Sequence, residues 1–277
     1  MRSNARFMIA GVILLVGLLS YYGMREHNPV TGETQHISLT TDQEVALGLN
    51  SAPQMEAEMG GADPDPRAQA LVERVGEAVV ARSAAHETPY KYSFRLLRDP
   101  NTVNAFALPG GPIFITRGLL NRLENEGQLA GVLGHEVGHV VARHAAEHIA
   151  KSQLAQTLVG AAGVAASDDY GRGRQAAIAA ALVAQMMQLR YGRNDELEAD
   201  QLGVRFMSEA GYDPRAMLGV MKILESASKG GQRQPEFMST HPNPGNRLQH
   251  IQEAINKLYP GGVPAELRSG ASLRVGA

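Results

Sequence analysis

The sequence contains no cysteine, and that one absence removes a disulfide framework, a thiolate nucleophile, thiolate metal ligands and any lipid attached through cysteine. A metal site in this chain must therefore draw on His, Asp and Glu. Excess positive charge is missing too. The 26 Lys and Arg against 28 Asp and Glu leave a formal net charge of -2, so no broad basic surface points to nucleic acid as a partner. No internal repeat is visible. Charge is absent altogether from residues 7–24, a mostly apolar stretch that would span about 27 Å as a helix, just enough for a bilayer core. Arg2 and Arg6 precede it, which predicts a cytoplasmic N-terminus and a body carried across the membrane. A small-x-small cleavage site is lacking around Ser20 to Gly23, which favours an uncleaved anchor over the alternative of a cleaved signal peptide.

What is present is enough for one substantial core: 277 residues, 44% of them hydrophobic, predict a single main domain with a short appendage. The boundaries read as an anchor or signal segment at 1–24, a linker with a short helix at 25–63, the main domain at 64–258 and a flexible tail at 259–277. Asp65 caps a helix that begins at Pro66 and buries Leu71, Val72, Val75, Ala78 and Val79 on one face. Residues 90–97 alternate with the period of a half-buried strand, and two short runs, 105–108 and 113–116, flank a Pro-Gly-Gly-Pro turn. Residues 125–151 read as one helix, with Asn125 and Gln128 in capping-box spacing. The Ala-rich residues 153–189 suggest two helices joined by a polar turn, either packed on the domain or touching membrane or gating substrate. Further helices are predicted near 195–209, 214–226 and 246–258.

The strongest chemical signal is His135-Glu136-Val137-Gly138-His139. Four residues turn a helix by about 400°, so both histidines share a face and can share one tetrahedral metal, with Glu136 beside them to accept a proton from water. Catalytic zinc usually takes three protein ligands, so a third comes from another segment. Glu196 is the best candidate, with Asp200 one turn later placed to orient a ligand histidine through its far ring nitrogen. Asp195 and Glu198 are the neighbours most easily mistaken for it. His144 and His148 lie roughly 180° around a continuous helix from the motif and read as a solvated or sheet-facing pair outside the site.

The H-E-V-G-H helix, the segment Glu196-Leu197-Glu198-Ala199-Asp200, Asn104 to Gly111 and Thr240-His241-Pro242 together resemble the gluzincin metallopeptidases of the HtpX and CAAX prenyl protease family, nearest its periplasmic BepA-like and LoiP-like branch. The resemblance runs from about residue 36 to 258. It implies an α+β fold, mainly helical and zincin-type, with a small mixed β-sheet packed on the H-E-x-x-H helix. It implies one zinc per chain on His135, His139 and Glu196, Glu136 as general base, and endopeptidase activity on unfolded or misfolded proteins of the bacterial cell envelope. The multi-pass membrane core of one branch and the long helical-repeat domain of another are not in this sequence.

His241 enters the catalytic set through the same resemblance, either as a fourth ligand that holds the enzyme latent or as a stabiliser of the oxyanion. Arg247 and Tyr191 are weaker candidates for that anion. The resemblance also implies that the strand at 113–116 is a sheet edge, on which an extended substrate could pair or which the protein's own loops could cover. The rival reading is a zinc-binding, chaperone-like scaffold, against which an intact Glu136 speaks.

Overall fold

The computed structural model describes residues 2–166, 191–229, 236–241 and 245–273. The polar turn and second arm of the expected 153–189 hairpin lie outside the described residues, as do Pro242, Asn243 and Pro244. In chain order the elements are α1 (Arg2–Gly23), β1 (Arg25–His27), β2 (Thr34–His36), α2 (Thr41–Glu58), α3 (Pro66–Ala81), a 3-10 turn (Ala84–Glu87), β3 (Ser93–Leu97), β4 (Ala105–Ala107), β5 (Pro112–Thr116), α4 (Arg117–Leu120), α5 (Glu126–Val141), α6 (His144–Ala166), α7 (Arg193–Glu209), α8 (Ala216–Lys229), α9 (Glu236–Thr240) and α10 (Arg247–Leu258). The fold is α+β and mainly helical, as the sequence implies.

Asp65 accepts from the N–H groups of Arg67 and Ala68, and Pro66 opens α3. Val72, Val75 and Val79 are fully buried on its inner face. That face covers β3 and meets α5. The sheet is mixed, in the order β3-β5-β4, with β3 parallel and β4 antiparallel to β5. The β4–β5 turn carries Gly110 and Gly111 at φ 76° and 126°, values that favour glycine. α2 lies against this turn so closely that a Cβ on Gly48 would sit 1.9 Å from the Pro109 carbonyl oxygen.

One expectation is overturned here. β5 is the inner strand, because β3 returns parallel along its other flank, so residues 113–116 offer no free edge. The edge strand beside the H-E-x-x-H helix is β4, and its Ala105 and Ala107 are buried. Thr116 N–H donates to the Asn104 carbonyl and Leu108 N–H to Pro112, so by antiparallel alternation Ala105 and Ala107 turn their backbone groups away from β5.

The helix expected at 125–151 is interrupted. α5 ends at Val141, and Arg143 sits at φ 56°, the left-handed conformation that commonly closes helices but usually falls to Gly or Asn. Contacts from the N-terminal segment hold it there. Arg143 Nε donates to Glu44 Oε1 at 2.9 Å, its Nη2 donates to the Leu39 carbonyl at 3.1 Å, and its Nη1 lies 2.7 Å from Glu26 Oε1. The β1–β2 hairpin also serves the freed carbonyls at the end of α5, with Asn28 Nδ2 donating to Val141 at 2.7 Å and Gln35 Nε2 donating to Ala142. At the other end, residues 269–273 accept from Glu126 and Gly127 and donate to Glu124, bracing the first turn of α5.

α5 and α7 cross on small residues. A Cβ on Gly203 would lie 3.0 Å from His135 N, one on Gly138 3.0 Å from the Ala199 carbonyl oxygen, and one on Gly134 3.2 Å from the Gly203 carbonyl oxygen. Only such a close crossing brings carboxylates of α7 within reach of α5.

α1 packs along α6, yet Phe7, Val12, Val16 and Leu19 remain more than half exposed. Among the described residues no helix is long and apolar enough to cross a membrane. The spanning helix expected at 7–24 is therefore not what α1 provides; it provides an outward apolar face.

Candidate metal centre

α5 sets His135 and His139 one turn apart, with their Nε2 atoms 3.1 Å from each other. α7 brings Glu196 up to them, Oε2 lying 3.6 Å from His135 Nε2 and Oε1 3.5 Å from His139 Nε2. His241, at the end of α9, comes in with Nδ1 3.4 Å from His135 Nε2 and 2.9 Å from Glu196 Oε1. Its ring is fixed by Phe237, stacked on it at 4.4 Å between centroids. One ligand atom from each of these four residues lies within 4.8 Å of the others, and all four side chains are buried. A tetrahedral ion with bonds of about 2.1 Å spaces its ligand atoms about 3.4 Å apart. The observed separations straddle that value, so three imidazoles and a carboxylate fit zinc.

The electrostatics suit the same occupant. Burial holds His139 well below the ordinary histidine range, which keeps the ring neutral and ready to ligate. Burial works against an ionised Glu196, but His241 and His139 outweigh it and hold the carboxyl well below the usual range. His241 is pulled the other way: burial disfavours its charge, while Glu196 and Glu136 outweigh burial and raise it. A metal would take this ring only as neutral imidazole, so coordination there releases a proton.

Glu136 occupies the remaining side of the cluster, 3.7 Å from His241 Nε2. It is fully buried, and both its carboxylate oxygens lack a hydrogen-bond partner among the described residues. Burial raises its pKa. A buried carboxyl left unserved beside a cluster of ligand atoms is costly.

Asp200 faces His135 Nδ1 at 2.9 Å. Behind it Arg247 donates from Nε at 2.8 Å and from Nη2 at 2.6 Å to the same carboxylate, and its Nη1 lies 2.9 Å from Glu196 Oε2. This corrects one expectation: Arg247 is buried and committed to two carboxylates, so its fork is not free to meet a reaction anion. Tyr191 lies flat against His139, 4.0 Å between ring centroids, and backs that ring. Asp195 and Glu198 stand outside the cluster, on His148 Nε2 at 2.7 Å and His144 Nε2 at 3.1 Å.

His144 is the residue that sequence reasoning placed wrongly. It is buried, and its Nδ1 lies 2.8 Å from His139 Nδ1. The angular reasoning that excluded it assumed an unbroken helix. The turn at Arg143 resets the phase, and nothing in Val140-Val141-Ala142-Arg143 announces that turn, since neither Gly nor Pro is present.

The class of protein that builds such a centre follows from its donors. Imidazoles spaced by one helical turn around a glutamate, completed by a carboxylate from a neighbouring helix, belong to zincin-type metallopeptidase domains. Comparison with known proteins narrows the class: the chain belongs to peptidase family M48, whose model matches residues 66–255. It is 30% identical over 239 residues to the beta-barrel assembly-enhancing protease of Yersinia pestis, covering 84% of this chain and 48% of that protein. It is 31% identical over 247 residues to the mitochondrial metalloendopeptidase OMA1 of Schizosaccharomyces pombe, covering 88% and 71%. The Escherichia coli beta-barrel assembly-enhancing protease matches at 29% over 242 residues, 84% and 48%. The chain thus spans about half the length of the bacterial relatives it matches.

Proposed function

We propose that this chain is a zinc-dependent metalloendopeptidase, with His135, His139 and Glu196 holding one zinc and Glu136 as general base. The observation that carries the reading is Glu136 itself: a fully buried carboxyl with both oxygens unserved, beside the convergent ligand atoms. A scaffold that only held metal would gain nothing from that arrangement. When bound, zinc supplies Lewis acidity, bringing the pKa of water to about 7 and polarising a peptide carbonyl. Glu136 takes the proton of the attacking water and delivers it to the leaving amine, and the upward pull of burial makes it a better base than a solvated carboxylate. Asp200, held by Arg247, keeps His135 in the tautomer whose Nε2 is free to ligate.

Pairing of an extended substrate with β4, the edge strand beside α5, would be a backbone recognition that selects unfolded chain over any fixed side chain; Ala105 and Ala107 are buried, so it requires their cover to move. Unfolded or misassembled envelope proteins are the substrates that best suit it. Membrane attachment through residues 7–24 and a periplasmic catalytic domain belong to the same reading. They are supported by the outward apolar side chains of α1 and by the names of the bacterial relatives, which tie them to β-barrel assembly, not by any span among the described residues.

His241 is the fourth ligand of a latent form. The support is its Nδ1 lying among the ligand atoms and 2.9 Å from Glu196, since a catalytic zinc keeps one position open and a closed one does not. Cleavage of casein is expected to fall by about 10²–10⁴-fold in Glu136→Gln with zinc content unchanged. Undiminished cleavage by that variant would remove Glu136 as the general base.

A further inference from the structure

We propose that His144 and Glu198 set the tautomer and orientation of His139, forming behind that ligand a hydrogen-bonded chain separate from the Asp200–Arg247 pair that faces His135 Nδ1. The inference rests on the metal-centre reading above and on where the ring protons must lie. His139 turns Nε2 into the cluster, 3.1 Å from His135 Nε2 and 3.5 Å from Glu196 Oε1. A ring that ligates through Nε2 carries its hydrogen on Nδ1 and needs an acceptor there.

The group facing that nitrogen is His144 Nδ1 at 2.8 Å. An imidazole accepts at Nδ1 only when its own hydrogen is on Nε2. His144 Nε2 in turn faces a carboxylate, Glu198 Oε2, at 3.1 Å. Each hydrogen therefore has an acceptor, and only one assignment of tautomers satisfies the chain from Glu198 to the cluster. A histidine buried for packing alone would not need both ring nitrogens so aligned.

The two chains differ in how they end. Behind His135 the carboxylate of Asp200 is itself buried and neutralised by Arg247. Behind His139 the chain ends at Glu198, whose side chain is 23% exposed. Glu198 lines a cavity of about 1030 Å³ bounded by the β1–β2 turn, α6, α7 and α10. Among the described residues no Lys or Arg pairs with Glu198, and its exposure leaves this end of the chain open to solvent. The Arg143 turn is what delivers His144 to this position, so the N-terminal hairpin and α2, which hold Arg143, act on the metal centre through it.

The experiment is zinc affinity of the full chain by chelator competition, for the parent and for His144→Leu, His144→Asn and Glu198→Ala. Asn places an amide oxygen where His144 Nδ1 stood, and so retains the acceptor. His144→Leu is expected to weaken zinc about 10–100-fold, the usual effect of removing such a partner, with His144→Asn recovering most of the loss. Glu198→Ala, at a partly exposed position that does not threaten folding, is expected to weaken zinc by a smaller factor in the same direction and so carries the test should His144→Leu not fold. In cobalt-substituted protein the visible spectrum of His144→Leu shifts, while that of His144→Asn stays near the parent's. Parental affinity in folded His144→Leu, equal losses in the Leu and Asn variants, or no effect of Glu198→Ala would overturn the proposal with the metal centre intact. A parent that takes up no zinc would overturn both.

Discussion

In the proposed centre single side chains divide into groups that would hold a metal and groups that would regulate it, and zinc content is the measurement that separates the two. Glu196→Ala leaves three imidazoles, His241 among them, but removes the only anionic ligand of the four, and is expected to lower zinc per chain more than His241→Ala does. His241→Ala leaves three ligands; zinc is expected to stay near one per chain while casein cleavage rises several-fold. A fall in cleavage with zinc retained would instead give His241 the oxyanion role. At this scale the convergence of His135, His139, Glu196 and Asp200 was legible in the sequence, because four-residue spacing on a helix is a geometric statement that survives folding. Arg247 was legible as a residue near the site, but the work it does there was not. Its partner Asp200 lies 47 residues away on another helix, and no local pattern records that.

Among elements, the α5–α7 crossing and the brace on the end of α5 decide whether those side chains meet. Gly203→Val is expected to push the helices apart, costing about 1–3 kcal/mol of stability by overpacking and weakening zinc, read by thermal melting and chelator competition together. The brace has a pH signature. Burial pushes Glu44 up to about 7 against the pull of Arg143, so the folded chain binds this proton more tightly than the unfolded one. Its contribution to stability is then fully present below about pH 4.5, the ordinary glutamate value, and is lost as pH rises through about 7. Relative to Glu44→Gln, the parent melting temperature is expected to fall across that window; parallel curves for the two proteins would remove the assignment. Periodicity foretold α3, α5 and the β4–β5 turn. The break at Arg143 and the inner position of β5 escaped, because each is imposed by a distant segment: the first by the hairpin and α2, the second by β3.

At the scale of the whole molecule, the proposed membrane attachment rests on the outward apolar face of α1. The full chain is expected to co-sediment with phospholipid vesicles, and a chain beginning at residue 25 is not; equal behaviour of the two would detach the membrane from the proposed function. The composition of residues 7–24 was plain in the sequence, while the packing of α1 along α6 was not, since a helix pairing leaves no mark in hydropathy alone.

The centre also closes late in the order of synthesis. His135 and His139 are translated first and Glu196 follows; His241 comes 106 residues after His135, and Arg247, which steadies both Asp200 and Glu196, comes later still. A nascent chain carries the paired imidazoles long before it can surround an ion with them, so on the proposed ligand set secure uptake of a metal would mark a chain whose α10 has already docked, and a peptidase dependent on that metal would be kept from cutting while it is still being made.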